Sequence, residues 1–276
     1  MSRLERARRD TRFGAAAAAA TFGSLLMVAP IIWMVLTSLK TEEQAVSFPP
    51  ALLFRPTLAH YRAALDDAFA GFALNSLLAA GLSTLIVIAL AVPAAYALSV
   101  RPVAQWRDAL FFFISTKMMP IAAGIVPLYL IARTLGLLNS LAVLVLLYVG
   151  MNLPLAIWMI RSFMIELPRE LLEAARVDGA GPMREIGSII LPLIRPGLAS
   201  TTLLCFLFAW NEYFLAVNFT STTGTLTVFL QRFLSFGRLY TAQVAAVATL
   251  VNIPVVAAGW LAQRNLVRGL TFGAVK

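Results

Sequence analysis

With 276 residues, 60% hydrophobic and only 13% charged, the chain carries more apolar surface than a water-soluble fold of this length can hide. Its net charge of +9 is compatible with a nucleic-acid partner, yet a basic membrane protein acquires the same charge simply by retaining Lys and Arg in its cytoplasmic loops. One cysteine (Cys205) and one histidine (His60) exclude an intrachain disulfide, a Cys- or His-based metal cage and a Ser-His-Asp or Cys-His nucleophile, and the lack of any Gly-Lys dipeptide excludes a phosphate-cradling nucleotide loop.

Spanning a bilayer as helix takes about 20 apolar residues. Residues 1–14 hold Arg3, Arg6, Arg8, Arg9 and Arg12 and read as a cytoplasmic lead-in to the first such run, Ala15 to Leu36. That run is longer than the core of a signal peptide and reads as a retained span. The connection Thr37 to Phe72 contains FPPALLFRP, whose three prolines preclude a regular helix, so it is predicted as an irregular outer cap with His60 on its surface. Further spans follow at Ala73 to Leu98, Ala109 to Ala132, Leu141 to Ile160, Pro196 to Phe219 and Ala242 to Ala262. The predicted fold is an all-α polytopic membrane protein with six transmembrane helices over residues 15–262.

Counted on alternate sides, the loops hold fifteen Lys and Arg on the side of the N-terminus and six on the other, which places both termini and the fourth connection, 161–195, in the cytoplasm. Within that connection RELLEAARVD spaces Leu171, Leu172 and Ala175 along one helical side, Gly179 ends the helix, and a second helix is predicted from Pro182 to Pro192 with Met183, Ile186 and Ile190 together. A charged helix, turn and helix between two membrane spans suits an amphipathic loop on lipid headgroups, or a peg that plugs into a separate soluble protein. A DNA-reading helix-turn-helix is excluded by the tether at both ends and by acids that offset the arginines.

Two ionisable groups lie inside spans, where charge is costly and marks function. At about 1.5 Å per residue Lys117 sits about 12 Å and Glu212 about 22 Å above the cytoplasmic edge, which argues against a direct pair. Glu212, Asn211 and Trp210 supply a carboxylate, an amide and an aromatic platform of the kind that holds hydroxyl-rich solutes. A structural role at a helix interface is the competing reading, for these as for Pro93, Pro120, Pro127, Pro154 and Pro254 within spans. The last outer connection, TSTTGTLTVFLQRFLSFGRLY, mixes polar and aromatic residues, and the tail 263–276 is predicted cytoplasmic.

Glu173-Ala174-Ala175, then Gly179, then Ile189 and Leu191-Pro192 resemble the EAA signature loop of permease subunits of binding-protein-dependent ABC importers in the bacterial inner membrane. STKMMP (115–120), AWNEYF (209–214) and LVRGLTFGAVK (266–276) are similar to the smaller permease of sugar importers, the one like the second membrane subunit of the maltose transporter. STKMMP together with GLTFGAVK is closest to sorbitol and mannitol importers, although Ile121 stands where a second proline is usual.

The resemblance implies a type I importer permease that is not itself an enzyme and binds no cofactor. It would work with a second permease as a heterodimer, with two ATPase subunits that use ATP and Mg, and with an external solute-binding protein that delivers a polyol or sugar. It further implies that Glu173, Ala174, Ala175, Asp178 and Gly179 dock on an ATPase and that Gly273, Ala274, Val275 and Lys276 reach between the ATPases. The last outer loop is placed by it against the binding protein. An ion-coupled secondary transporter, the rival reading, would carry paired mid-membrane ionisable groups in repeated halves.

Overall fold

Inside a bilayer a helix must satisfy its own backbone, so the breaks in the apolar helices matter as much as the helices themselves. The computed structural model describes the backbone of residues 3–65, 67–101, 103–233 and 240–271. Helix α1 (Arg3–Ser38) has 36 residues and would run about 54 Å, longer than the hydrocarbon core, so its basic first turns extend beyond its apolar part, Ala17–Ser38. Short helices α2 (Glu42–Ala45) and α3 (Ala59–Ala64) flank residues 46–58, which carry no helix. Helix α4 (Asp67–Ser99) continues through Pro93.

The third predicted span is two pieces. Helix α5 (Trp106–Met118) stops before Pro120, because a residue preceding proline is pushed to extended backbone; Met119 sits at φ −71°, ψ 128°. A 3-10 turn (Ile121–Gly124) leads into α6 (Ile125–Thr134), and the two halves are bent by 93°. Helix α7 (Leu141–Ile165) is one continuous rod, capped by the Ser140 hydroxyl on the N–H of Val143 at 3.3 Å.

The insert holds α8 (Arg169–Val177), then α9 (Pro182–Arg184), a π-helical stretch (Glu185–Ile190) and α10 (Leu191–Leu193). The second insert helix therefore runs past Pro192 to Leu193, and the bend of 86° comes at Ile194, ahead of α11 (Arg195–Trp210). The fifth predicted span also ends early. Residues 211–213 are not helical, and α12 (Phe214–Phe219) and α13 (Leu226–Gln231) follow before α14 (Thr241–Thr271), whose apolar part is Thr241–Leu261. Among the described residues four helices are thus long and apolar enough to cross a membrane alone, and up to six spans result when each bent pair counts as one.

The chain divides into two units, Met1–Asp66 with Leu230–Leu250, and Asp67–Phe229 with Val251–Lys276. In the first, the ammonium of Lys40, 2% exposed, lies 4.6 Å from the Trp33 ring and 5.3 Å from the Phe54 ring. His60 is half-buried and not a free surface residue: its Nε2 is 3.0 Å from the Lys40 carbonyl oxygen. The Glu42 carboxylate accepts the N–H groups of Ala242 and Gln243, both at 3.0 Å, and so caps the start of α14.

In the second unit α4 packs along α7, and α11 packs on both. Their core includes Val87, Ala91, Ala95, Ile157 and Ile160, and it continues into the insert through Leu172, Ile190 and Ile194. Side-chain bonds to carbonyls tie it across helices, among them Asn152 Nδ2 to Cys205 at 3.3 Å, Arg161 Nε to Leu98 at 3.0 Å and Trp210 Nε1 to Val251 at 3.2 Å. Where α11 leaves the insert, Gly197 lies so close to the Phe163 ring that an added Cβ would overlap it, whereas one at Gly150 meets open space. Gly197→Ala is therefore expected to destabilise the detergent-solubilised chain by about 1–3 kcal/mol, read as a lowered thermal midpoint. Gly150→Ala leaves that midpoint unchanged or raises it.

Candidate functional site

Helix α8 begins directly after Pro168, whose fixed φ of −58° and ψ of 128° keep it outside the helix. It ends in a two-bond glycine cap. Gly179 takes φ +81°, its N–H bonds the Arg176 carbonyl at 3.0 Å, and the N–H of Ala180 bonds the Ala175 carbonyl at 2.9 Å. Both ends of α8 are thus fixed by backbone geometry.

The helix has two different sides. Leu172, 6% exposed, seats it in the core of the spans. Glu173 lines a cavity of about 430 Å³ beneath α8, together with Arg161, Arg169, Arg176 and Trp106. Ala174, Asp178 and Gly179 are exposed, and Ala175 is half-buried. Two apolar side chains of the insert lie almost fully open, Val177 at 87% and Met183 at 82%. Met183 therefore does not join Ile186 and Ile190 as predicted; Ile190 is buried at 0% exposure, and the second helix divides between an inward and an outward face.

The residue that holds the insert was not singled out in the sequence. Glu185 is 0% exposed, and donors from α4, from the connection just after it and from α8 converge on it. Tyr96 Oη donates to its Oε2 at 2.7 Å, Arg101 Nη2 to Oε2 at 3.2 Å, and Arg176 Nη2 to Oε1 at 2.9 Å. Arg176 Nη2 also reaches the Val100 carbonyl at 3.5 Å, just past the end of α4. Burial pushes the Glu185 carboxyl up, but the hydrogen bonds from Arg176, Tyr96 and Arg101 and the charge of Arg176 outweigh it and hold the group below the ordinary carboxylate range.

The residues predicted for a solute path fall in several places. Trp210 is buried at 3% exposure, stacked on Phe206 at 5.6 Å. Asn211 is exposed and its Nδ2 bonds the Leu207 carbonyl at 2.9 Å. Half-buried Glu212 bridges the helix break, accepting the N–H groups of Leu215 at 2.8 Å and Ala216 at 3.1 Å. Lys117 donates to the Met151 carbonyl at 3.1 Å and stands 5.7 Å from the Phe208 ring. Among the described residues no ion pair joins Lys117 to Glu212. On the outer side, Asn139 Oδ1 accepts the N–H groups of Ser221, Thr222 and Thr223 at 3.0, 2.9 and 3.2 Å and so orders the start of the last outer loop. The tail residues Gly273, Ala274, Val275 and Lys276 lie outside the described residues.

Residues 68–271 match the family model described as the binding-protein-dependent transport system inner membrane component. The chain belongs to this family. It is 35% identical over 251 residues to a probable ABC transporter permease of Sinorhizobium fredii, with 90% of each chain covered. It is 34% identical to the diacetylchitobiose uptake system permease of Streptomyces coelicolor, over 91% of this chain and 92% of that one. The trehalose transport system permease of Mycobacterium tuberculosis is 32% identical, over 90% and 92%. The fold is that of a chain in the structure of a bacterial ABC transporter involved in the import of alginate, with a TM-score of 0.75 and 24% identity over 96% of this chain and 99% of that one. The protein is accordingly a multi-pass inner-membrane permease, a transport subunit and not an enzyme.

The depressed pKa of Glu185 fixes the sign of a pH effect. The stability it lends is full above the ordinary value of 4.5 and is lost as pH falls through the lower folded value. The thermal midpoint of the purified chain is expected to fall from about pH 5 to about pH 3 more steeply than that of Glu185→Gln, which has no proton to take up at this position.

Proposed function

We propose that this chain is one permease of a carbohydrate ABC importer and that α8 seats in a groove of a partner ATPase. The observation that carries this reading is the two-sided insert: a short helix fixed at both ends, rooted in the span core through Leu172, with Ala174, Asp178, Val177 and Met183 turned outward and uncovered. Exposed apolar side chains on a rigid cytoplasmic element fit a protein groove better than water. In this reading the motor pair, driven by ATP and Mg, pulls α8 and rocks the spans between inward- and outward-facing states. A second permease completes the passage, a binding protein delivers solute to the outer face near the loop ordered by Asn139, and Gly273 to Lys276 reach between the ATPases.

Carbohydrate is the solute class because relatives are named for trehalose, trehalose and maltose, and diacetylchitobiose. Within that class we assign a polyol, sorbitol or mannitol, on the strength of STKMMP and GLTFGAVK; a disaccharide is the second reading, favoured by the names of those relatives. The breaks at Met119–Pro120 and at 211–213 expose backbone at membrane depth, which is tolerated where it lines a water-filled passage. Lys117, Asn211 and Glu212 lie at or beside these breaks and are assigned to the passage wall, while Trp210 supports it from within.

Proteoliposomes holding this chain, its second permease, the ATPases and the binding protein are expected to take up a polyol on addition of ATP, with competition by mannitol and sorbitol exceeding that by trehalose. Competition by trehalose alone selects the disaccharide. Proton-driven uptake by this chain without ATPases contradicts the importer reading. Gly179→Val, which forces a branched residue into a left-handed conformation at a cost of about 1–2 kcal/mol, is expected to lower ATP-driven uptake more than tenfold.

A further inference from the structure

We infer that Glu185 is a positioning residue of the transport stroke, locking α8 to the cytoplasmic end of α4 so that a pull on α8 enters the spans through α4. This rests on the reading of the insert as the element that an ATPase moves. A pull on α8 has three routes into the membrane. Two are covalent: residues 166–168 join α8 to α7, and the π-helical stretch with the 86° bend at Ile194 joins it to α11. The third route is the Glu185 carboxylate, which bonds Arg176 on α8, Tyr96 inside α4 and Arg101 just beyond its end. Since α4 packs along α7 and α11, motion delivered there reaches the central helices together.

Apolar anchoring by Leu172 resists separation but sets no register, whereas hydrogen bonds to a charged acceptor are directional. The charge matters as well as the bonds. Arg101 and Arg176 meet at one carboxylate, and with a neutral side chain at 185 two guanidinium groups face each other across the joint and push α8 away from α4.

The test uses the complete importer in proteoliposomes and reads three quantities: assembly, ATP hydrolysis stimulated by loaded binding protein, and solute taken up per ATP hydrolysed. Glu185→Gln is expected to assemble and hydrolyse ATP within about twofold of the unmodified complex while uptake per ATP falls about tenfold. Tyr96→Phe, which keeps the ring and removes one donor, is expected to lower the same ratio about threefold. A merely structural role lowers assembly, hydrolysis and uptake in proportion; that outcome, or an unchanged ratio, overturns the proposal. Should Glu185→Gln fail to assemble, the ratio for Tyr96→Phe decides alone. Loss of stimulated hydrolysis in the unmodified complex would count against the importer reading itself and not against this role of Glu185.

Discussion

Burying a carboxylate costs several kcal/mol unless its oxygens are matched by donors, and the cytoplasmic half of this protein is arranged around one that is matched. Glu185 takes hydrogen bonds from Tyr96, Arg101 and Arg176, groups that lie in the chain on either side of α5, α6 and α7. That convergence sets where α8 lies. With its inner side committed to Leu172, Arg176 and the cavity, the helix has only its outer side left to offer, and that side carries small, polar and exposed apolar groups. Gly179 keeps the helix short, because its left-handed backbone turns the chain after Asp178 and closes the last carbonyls on Gly179 and Ala180.

The membrane half answers to a different constraint, that backbone polar groups must find partners without water. Helices α4 and α7 meet it by remaining continuous through Pro93 and Pro154. The two bent pairs meet it locally. Glu212 supplies acceptors for the N–H groups that open after Trp210, and the Lys117 ammonium is held by a carbonyl oxygen and an aromatic face instead of a counter-charge. These arrangements account for intramembrane charge without an ion-coupled pair.

The sequence made the spans legible because apolar run length and the sidedness of Lys and Arg are properties of composition, and the glycine turn of the insert because Gly179 stands directly after a helical pattern. It did not show the broken spans: hydropathy is blind to the extended backbone that Pro120 imposes on Met119 and to the non-helical residues 211–213. Glu185 was hidden for another reason. In PMREIGSII it reads as one more charge on the second insert helix, and nothing nearby announces that Tyr96 and Arg101 return to it from 89 and 84 residues away. Of the residues marked for a solute path, Trp210 differs most from its predicted place, since an indole within an apolar run gives no sign of whether it faces a passage or, as here, donates to the Val251 carbonyl.

The central claim is that the outer side of α8 meets the motor. In an otherwise cysteine-free importer, with Cys205 replaced by Ser, a cysteine at position 174 should form a disulfide with one placed in the groove of the ATPase, and should react with a membrane-impermeant thiol reagent only in inside-out vesicles. Reaction in right-side-out vesicles, or no disulfide with the ATPase in either the nucleotide-free or the ATP-bound state, would contradict the account.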